Sequence, residues 1–176
     1  MMMDMGGRGK VKGHLTFPPL CQIGVVVKDL EKAIEAYSSI FGVGPWKVVD
    51  LPSIDAPLRG EPVEYKMRIA LAKMGCVVLE LIQILEGETI HTEFLREKGE
   101  GLHHIALMVD DLDKVVEEWE KAGIKVLQRS KLPVEEEGDT AGFAYMDTED
   151  LIGIIIELLK VPKSRTDFYK CPNIGK

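Results

Sequence analysis

The 176-residue chain lacks several features that mark specialised classes of protein. Its longest apolar run, LIGIIIELL at residues 151–159, is interrupted by Glu157 and is too short to span a bilayer. It has no cluster of basic residues and a net charge of −7, which argues against a nucleic-acid partner. Residues 1–17 lack the apolar core of a secretory signal and are expected to form a disordered leader.

Cysteine is also scarce. The three residues Cys21, Cys76 and Cys171 form an odd count without C-x-x-C spacing, so neither structural disulfides nor a cysteine metal site is expected. A reducing, cytoplasmic location follows as the expectation. With 45% hydrophobic and 29% charged residues, the composition is typical of a soluble globular protein that meets neither membrane nor nucleic acid.

An internal repeat is the main positive feature of the sequence. The segment QIGVVVKDLEKAIEAY, which starts at Gln22, matches HIALMVDDLDKVVEEW, which starts at His104, in residue kind at almost every position. In this alignment Gln22 falls on His104 and Asp29 falls on Asp111. A repeat of this length indicates that one supersecondary unit occurs twice.

Each copy has the pattern of a strand, a helix and three further strands. The apolar runs at residues 23–27 and 105–109 are typical of buried strands, and Asp29 and Asp111 are placed to cap the helices that follow. A single half-sheet would leave one face exposed. We therefore predict an α+β fold in which two βαβββ modules pair into an eight-stranded open cup, and the cup is the expected ligand site.

The predicted organisation has five parts. They are a leader (1–17), a first module (18–88), a linker helix (89–100), a second module (101–160) and a C-terminal tail (161–176). The tail carries no chemical signature and is expected to fray. An exposed edge on each half-sheet predicts a homodimer.

Polar side chains recur at matching places in the two copies. Gln22 and His104 open the first strands, whereas Glu80 and Glu157 interrupt the apolar last strands. A carboxylate in such a strand is costly to bury in ionised form unless a cation or hydrogen-bond donors compensate it. If these strands face the cup, their amide, imidazole and carboxylate groups suit one divalent ion such as Zn, Co, Ni, Mn or Mg. By alternation along the strand, His103 is expected to face the other side and to be structural.

Each of these residues also has a structural interpretation. His104 could be a hydrogen-bonded histidine at a strand end, and Gln22 a polar residue entering a strand. Glu80 could lie on a solvated strand face, paired with Lys66 or Arg68. The repeat favours the shared metal site, because independent polar residues have no reason to fall on equivalent positions.

The paired units and the polar positions resemble the vicinal oxygen chelate superfamily, which includes glyoxalase I, methylmalonyl-CoA epimerase and ring-cleaving dioxygenases. The resemblance covers about residues 18–160, and ELIQILEGETIHTEFLREKGEGLHHIALMVDDLD looks most like the epimerases, with GEGLHHIA as its most specific piece. In that family a first-strand histidine, a glutamine or glutamate, the second histidine of HH and a late glutamate bind the metal. The resemblance carries these roles to Gln22, Glu80, His104 and Glu157.

Two positions depart from the epimerase pattern. Gln22 stands where the epimerases have histidine, and a Gln-Glu-His-Glu set is similar to that of zinc-type glyoxalase I from eukaryotes, although the end of the second half is unlike glyoxalases. The additional strand glutamate that some epimerases use for proton transfer falls near Ile69 and Ala70, where this chain has no carboxylate.

The resemblance implies a metal-dependent epimerase or isomerase that removes a proton next to the carbonyl of a thioester, with methylmalonyl-CoA as the expected substrate. Glu157, and after it Glu80, are the candidate bases. The alternatives are a lactoylglutathione lyase of the glyoxalase I type, which the ligand set favours, and a non-catalytic protein that binds small molecules in the same cup. Binding members generally lack the metal ligands, and an oxidative iron enzyme would prefer two histidines and one carboxylate.

Overall fold

The two copies of the repeat form the two halves of one sheet in the computed structural model, which describes residues 15–51 and 56–171. The first half contains β1 (Leu20–Val26), α1 (Leu30–Phe41), β2 (Lys47–Leu51), β3 (Tyr65–Met74) and β4 (Val77–Gly87). A connecting helix, α2 (Ile90–Glu97), leads to the second half. The second half contains β5 (Gly101–Met108), α3 (Leu112–Lys121), β6 (Val126–Leu132), β7 (Ala141–Met146), α4 (Glu149–Ile152) and β8 (Ile155–Lys160).

The strand order is β2-β3-β4-β1-β5-β8-β7-β6. The antiparallel pair β1–β5 joins the halves at the centre, and each of these strands runs parallel to the last strand of its own half. The order therefore reads the same from either edge, as expected when one unit occurs twice. The predicted fold, two βαβββ modules pairing into an eight-stranded open cup, is confirmed.

The two faces of the sheet have different roles. Alternate residues of the inner strands, such as Leu79 and Leu81 on β4 or Ile156 and Leu158 on β8, pack beneath the helices α1 and α3. The residues between them face the opposite, concave side, where the cup lies. Burial on both faces explains why β4 and β8 are nearly continuous apolar runs, in which an inserted glutamate stands out.

Local signals fix the ends of the helices. Asp29 accepts a hydrogen bond from the Lys32 N–H at 3.1 Å and Asp111 accepts one from the Lys114 N–H at 3.1 Å, so both predicted N-caps are confirmed. Gly42 ends α1 with a φ of 66°, a left-handed conformation that favours glycine. In the described ranges, none of the helices is both long and apolar enough to cross a bilayer.

The cysteines and the C-terminal tail both differ from what the sequence predicts. The prediction that structural disulfides are absent is wrong, because Cys76 and Cys171 are bonded to each other. The expected fraying of the tail does not hold for residues 161–171, which form a 3₁₀ turn (Lys163–Arg165) and a short helix, α5 (Thr166–Tyr169).

Residues 1–14 of the predicted leader lie outside the described residues. The cytoplasmic location stays a prediction, and the disulfide removes one of its supports.

Candidate metal centre

The polar side chains singled out by the repeat lie at the centre of the sheet. The strand pairing places six residues in two adjacent rows, Glu80–Gly24–His104 and Gln22–Ala106–Glu157. Paired residues on neighbouring strands point to the same face, as do residues two apart on one strand. Both rows therefore face the concave side, and the four polar side chains converge there.

The distances join these groups into one cluster. The Nε2 atom of His104 lies 3.1 Å from Glu157 Oε2 and 3.6 Å from Glu80 Oε2. The Nε2 atom of Gln22 donates a hydrogen bond to Glu80 Oε2 at 2.7 Å. All four side chains are buried, with His104 at 0% and Glu157 at 4% exposure. The structural interpretation of Glu80 does not hold, because Lys66 pairs with Glu86 and Arg68 with Asp50.

Two buried atoms in this cluster have no hydrogen-bond partner among the residues that the structure describes. They are His104 Nε2 and Glu157 Oε2, which face each other across the shared space. A buried polar atom without a partner is costly, so an orphaned imidazole nitrogen beside an orphaned carboxylate oxygen indicates that a third group belongs there. Glu80, His104 and Glu157 offer ligand atoms that all lie within 4.8 Å of one another. These three residues fit a borderline or hard divalent cation, and Gln22 reaches the same cluster through the hydrogen bond from its amide nitrogen to Glu80.

Burial controls the charge of these groups. It raises the pKa of Glu157 to about 8, against a hydrogen bond from Tyr145 that lowers it. It also raises the pKa of Glu80 well above its ordinary value, with a further contribution from the Glu157 charge and an opposing one from the Gln22 hydrogen bond. Burial lowers the pKa of His104 to about 3, so its imidazole is neutral and able to act as a ligand. A bound cation would favour the ionised form of both carboxylates.

Small residues make room for the cluster, and sequence reasoning did not single them out. Gly24 pairs with both Glu80 and His104, and a Cβ atom at Gly24 would lie 2.0 Å from His104 Cε1. Ala106 pairs with both Gln22 and Glu157 in the other row. A signal was present, because Gly24 and Ala106 occupy equivalent positions in the repeat and are both small.

The prediction that His103 faces away from His104 is wrong. Their Nδ1 atoms lie 3.0 Å apart, and both rings are buried. The pairing of β1 with β5 shifts register here, from Gly24 opposite His104 to Val25 opposite Leu102. Such a bulge breaks the simple alternation of side chains and brings His103 to the side of its neighbour.

The contact with His103 is suited to fix which nitrogen of His104 carries the proton when His104 binds a metal. For His104 Nε2 to offer a lone pair, the proton must sit on Nδ1, which then donates to His103 Nδ1. Burial lowers the pKa of His103 to about 2, so its ring is a neutral acceptor. His91 on α2 packs against His103 with ring centroids 4.5 Å apart, and the three histidines form a second group whose ligand atoms lie within 4.8 Å of one another.

An apolar cup surrounds the cluster. Its cavity has a volume of about 440 Å³, within the range of small-molecule sites. The walls come mainly from alternate residues of β3 and β7, among them Tyr65, Met67, Ile69 and Phe143. Ile69 faces the cup, so the place where some epimerases carry an additional glutamate is apolar here. Tyr145 on β7 lies opposite Glu157 and hydrogen-bonds with it, a partner that the sequence did not reveal.

Comparison with known proteins assigns the family. The protein-family model for the Glyoxalase/Bleomycin resistance protein/Dioxygenase superfamily matches residues 21–145 of the chain. The chain belongs to this superfamily. Mitochondrial methylmalonyl-CoA epimerase from Mus musculus is 27% identical over 140 residues, covering 79% of this chain and 71% of the relative. An uncharacterized protein from Bacillus subtilis is 26% identical over 140 residues, covering 79% of this chain and 89% of its own.

Solved structures share the fold. Methylmalonyl-CoA epimerase from Mycobacterium tuberculosis superposes with a TM-score of 0.59 at 20% identity, covering 88% of this chain and 96% of that one. A variant of the Streptomyces coelicolor epimerase, in complex with 2-nitronate-propionyl-CoA, gives a TM-score of 0.58 at 20% identity, covering 82% and 98%. The resemblance to the superfamily seen in the sequence is confirmed.

The role of Gly24 can be tested by Gly24→Ala. The added methyl group would overlap the His104 ring, so we expect the free energy of unfolding to fall by about 2 kcal/mol, measured by urea denaturation. In a Gly24→Ala/His104→Ala double variant the clash is absent, so the cost of the glycine substitution should shrink. Equal costs in the two backgrounds would show that the imidazole does not lie over Gly24.

The role of His103 can be tested by His103→Phe. This change keeps a ring but removes the hydrogen bond to His104, so we expect Zn²⁺ affinity to fall by about 10-fold in calorimetric titration. In nitrogen NMR of the metal-free protein, the proton of His104 should no longer be confined to Nδ1. His91→Phe is the control, because His91 is not hydrogen-bonded to His104. An equal loss of affinity in both variants would show that the three histidines hold the ion instead.

Proposed function

We propose that the chain is a metal-dependent epimerase of a small acyl-CoA, with methylmalonyl-CoA as its substrate. The observation that carries the proposal is the pair of buried carboxylates, Glu80 and Glu157, on either side of His104 Nε2 at the floor of an apolar cup. Relatives named methylmalonyl-CoA epimerase, and the acyl-CoA complex of the Streptomyces coelicolor protein, support a thioester substrate.

Four residues would hold the ion: Gln22, Glu80, His104 and Glu157. An ion held by these residues would supply positive charge to stabilise the negative charge that develops on the thioester oxygen as the neighbouring proton leaves. With the ion bound, the residues would bring two carboxylates and a neutral nitrogen to the floor of an apolar cup. Hydrogen bonds from Gln22 and Tyr145 hold the carboxylates of Glu80 and Glu157 in position.

Glu157 is the candidate base. Its Oε2 atom is buried and has no hydrogen-bond partner among the described residues, so on loosening from the ion it would be available to take a proton from a substrate in the cup. The apolar surroundings make this carboxylate more basic than an exposed one.

Glu80 is the candidate for the second proton-transfer group. Epimerisation requires removal of a proton from one side of a carbon atom and its return to the other side. Glu80 belongs to β4 in the first half of the sheet and Glu157 to β8 in the second, so a substrate carbon between them would meet a carboxyl group on each side. The β3 position used by some epimerases carries no carboxylate in this chain, and Glu80 is the other carboxylate besides Glu157 among the described residues that line the cup.

The rim of the cup suits an anionic substrate. Although the chain has a net charge of −7, the side chains of Lys47 and Arg165 line the opening, and both residues are exposed. A cavity of about 440 Å³ is large enough for a short acyl group and part of the pantetheine arm, with the nucleotide outside. The exposed cationic side chains at the rim would then contact phosphate or carboxylate groups of the substrate.

The second candidate is a glyoxalase I-type isomerase. The Gln22–Glu80–His104–Glu157 donor set favours it, because this set resembles that of the eukaryotic zinc enzymes. Both reactions move a proton on a carbon atom next to a carbonyl group, so the same floor could serve either of them. The substrates distinguish the two, since one is a CoA thioester and the other a glutathione hemithioacetal.

Proton exchange in D₂O tests the proposed reaction. We expect the protein to exchange the α-proton of methylmalonyl-CoA with solvent deuterium, and we expect a chelator to stop the exchange. Glu157→Gln should slow exchange by about 100-fold or more, because the amide cannot take the proton. Metal content measured by mass spectrometry in the same samples separates loss of the base from loss of the ion.

Other outcomes would contradict the epimerase. Turnover of a glutathione hemithioacetal without exchange of methylmalonyl-CoA would identify the glyoxalase I-type reaction. A purified protein without metal that tightly binds an unreacted hydrophobic ligand would identify a binding protein.

The rim can be tested separately by Lys47→Glu. Reversal of one exposed charge should raise KM for the acyl-CoA by about 5-fold at low salt and by less at high salt, with kcat nearly unchanged. Lys114→Glu is the matched control, since Lys114 is an exposed lysine on α3, on the other face of the sheet. Equal KM values in the two variants would exclude a role of the rim in binding the substrate.

A further inference from the structure

The C-terminal segment (residues 161–171) returns over the cup after β8. Val161, Phe168 and Tyr169 pack against the apolar cluster that lines the concave face, and Pro162 is buried. With Ser164 and Arg165, these residues contribute to the lining of the cavity. The segment therefore forms a wall that neither copy of the repeat supplies.

Both ends of this wall are attached to the rest of the molecule. At its start, the Lys163 N–H donates a hydrogen bond to Asp139 Oδ2 at 2.8 Å, in the loop between β6 and β7 of the second half. At its end, Cys171 is bonded to Cys76 in the turn between β3 and β4 of the first half. Lys73 Nζ also donates to the Lys170 carbonyl oxygen at 2.5 Å. The segment thus crosses the cup from one half of the sheet to the other.

The wall places one polar atom on the candidate metal centre. The hydroxyl of Tyr169 donates a hydrogen bond to Gln22 Oε1 at 3.0 Å, although the two residues are 147 positions apart. On the other side of the same amide, Gln22 Nε2 donates to Glu80 Oε2 at 2.7 Å. With Glu80 ionised, these two contacts select one orientation of the amide, because the reverse would set its oxygen against the carboxylate.

The two halves differ where Tyr169 enters. In the second half Tyr145 lies opposite Glu157, whereas the equivalent pairing in the first half sets Leu71 opposite Glu80. The first half therefore has no hydroxyl at this position of its own sheet. The C-terminal segment provides one, and it reaches Glu80 through Gln22.

We propose that the C-terminal segment is a disulfide-anchored wall of the cup and that Tyr169 is a positioning residue, which holds the amide of Gln22 with its nitrogen towards Glu80 in the candidate metal centre. The hydrogen bond from Tyr169 to Gln22 is independent of the proposed function. Its effect on a bound cation rests on the metal centre proposed above.

NMR of the metal-free protein tests the position of Tyr169. In Tyr169→Phe the side-chain amide resonances of Gln22 should shift, because the oxygen loses its donor. In Cys76→Ser/Cys171→Ser the same resonances should move towards their positions in Tyr169→Phe, since the wall loses its anchor. Tyr37→Phe on α1 is the matched control and should leave them unchanged. Unshifted Gln22 resonances in Tyr169→Phe would overturn the proposal.

Titration with Co²⁺ tests whether Tyr169 affects metal binding at the candidate metal centre. Tyr169→Phe should weaken Co²⁺ binding by about 10-fold and alter the visible absorption of the bound ion, whereas Tyr37→Phe should do neither. An unchanged affinity and spectrum in Tyr169→Phe would overturn the positioning role. If the wild-type protein binds neither Co²⁺ nor Zn²⁺, the metal centre of the proposed function fails, and the NMR comparison alone decides the place of Tyr169.

Discussion

Glu80 and Glu157 are buried in the same apolar floor, and their ligand atoms lie within 4.8 Å of each other and of His104. Two ionised carboxylates at this separation repel each other by about 3 kcal/mol at an effective dielectric constant near 20, and each also loses its solvation. Burial holds the pKa of His104 at about 3, so the imidazole brings no positive charge. The floor is therefore compatible with protons or with a cation, but not with two bare charges. Much of the surrounding structure serves this requirement.

Duplication explains how such a floor arises. The antiparallel contact of β1 with β5 places equivalent strands of the two copies side by side, so any polar residue that both copies carry on these strands is brought to the common centre. Gly24 and Ala106 leave space between them because they pair with the polar side chains. Differences between the copies then create an asymmetric site. Gln22 stands where the other copy has His104, so the two halves contribute different donor groups.

The sequence predicted the parts of the molecule that periodicity and repetition control. These include the cup, the helix caps and the convergence of the polar residues, because strand alternation and the repeat fix their faces. The position of His103 could not be predicted, since a shift of one residue in the β1–β5 register reverses the side chain and leaves no mark on composition. The Cys76–Cys171 bond joins residues 95 apart, and only the return of the tail over the cup brings them together.

The polar floor of the cup and the wall formed by residues 161–171 come from different parts of the chain. This difference affects how the site would select its substrate. The repeated unit supplies the groups proposed to bind the cation and transfer protons, whereas residues 161–171 supply part of the apolar lining of the cavity. Changes in the wall, at Phe168 for example, would alter the volume available to an acyl group without touching Glu80, His104 or Glu157. Tyr169 is the exception, because its hydrogen bond to Gln22 links the wall to the floor. The shape of the cup and the orientation of the amide are therefore coupled through one hydroxyl group.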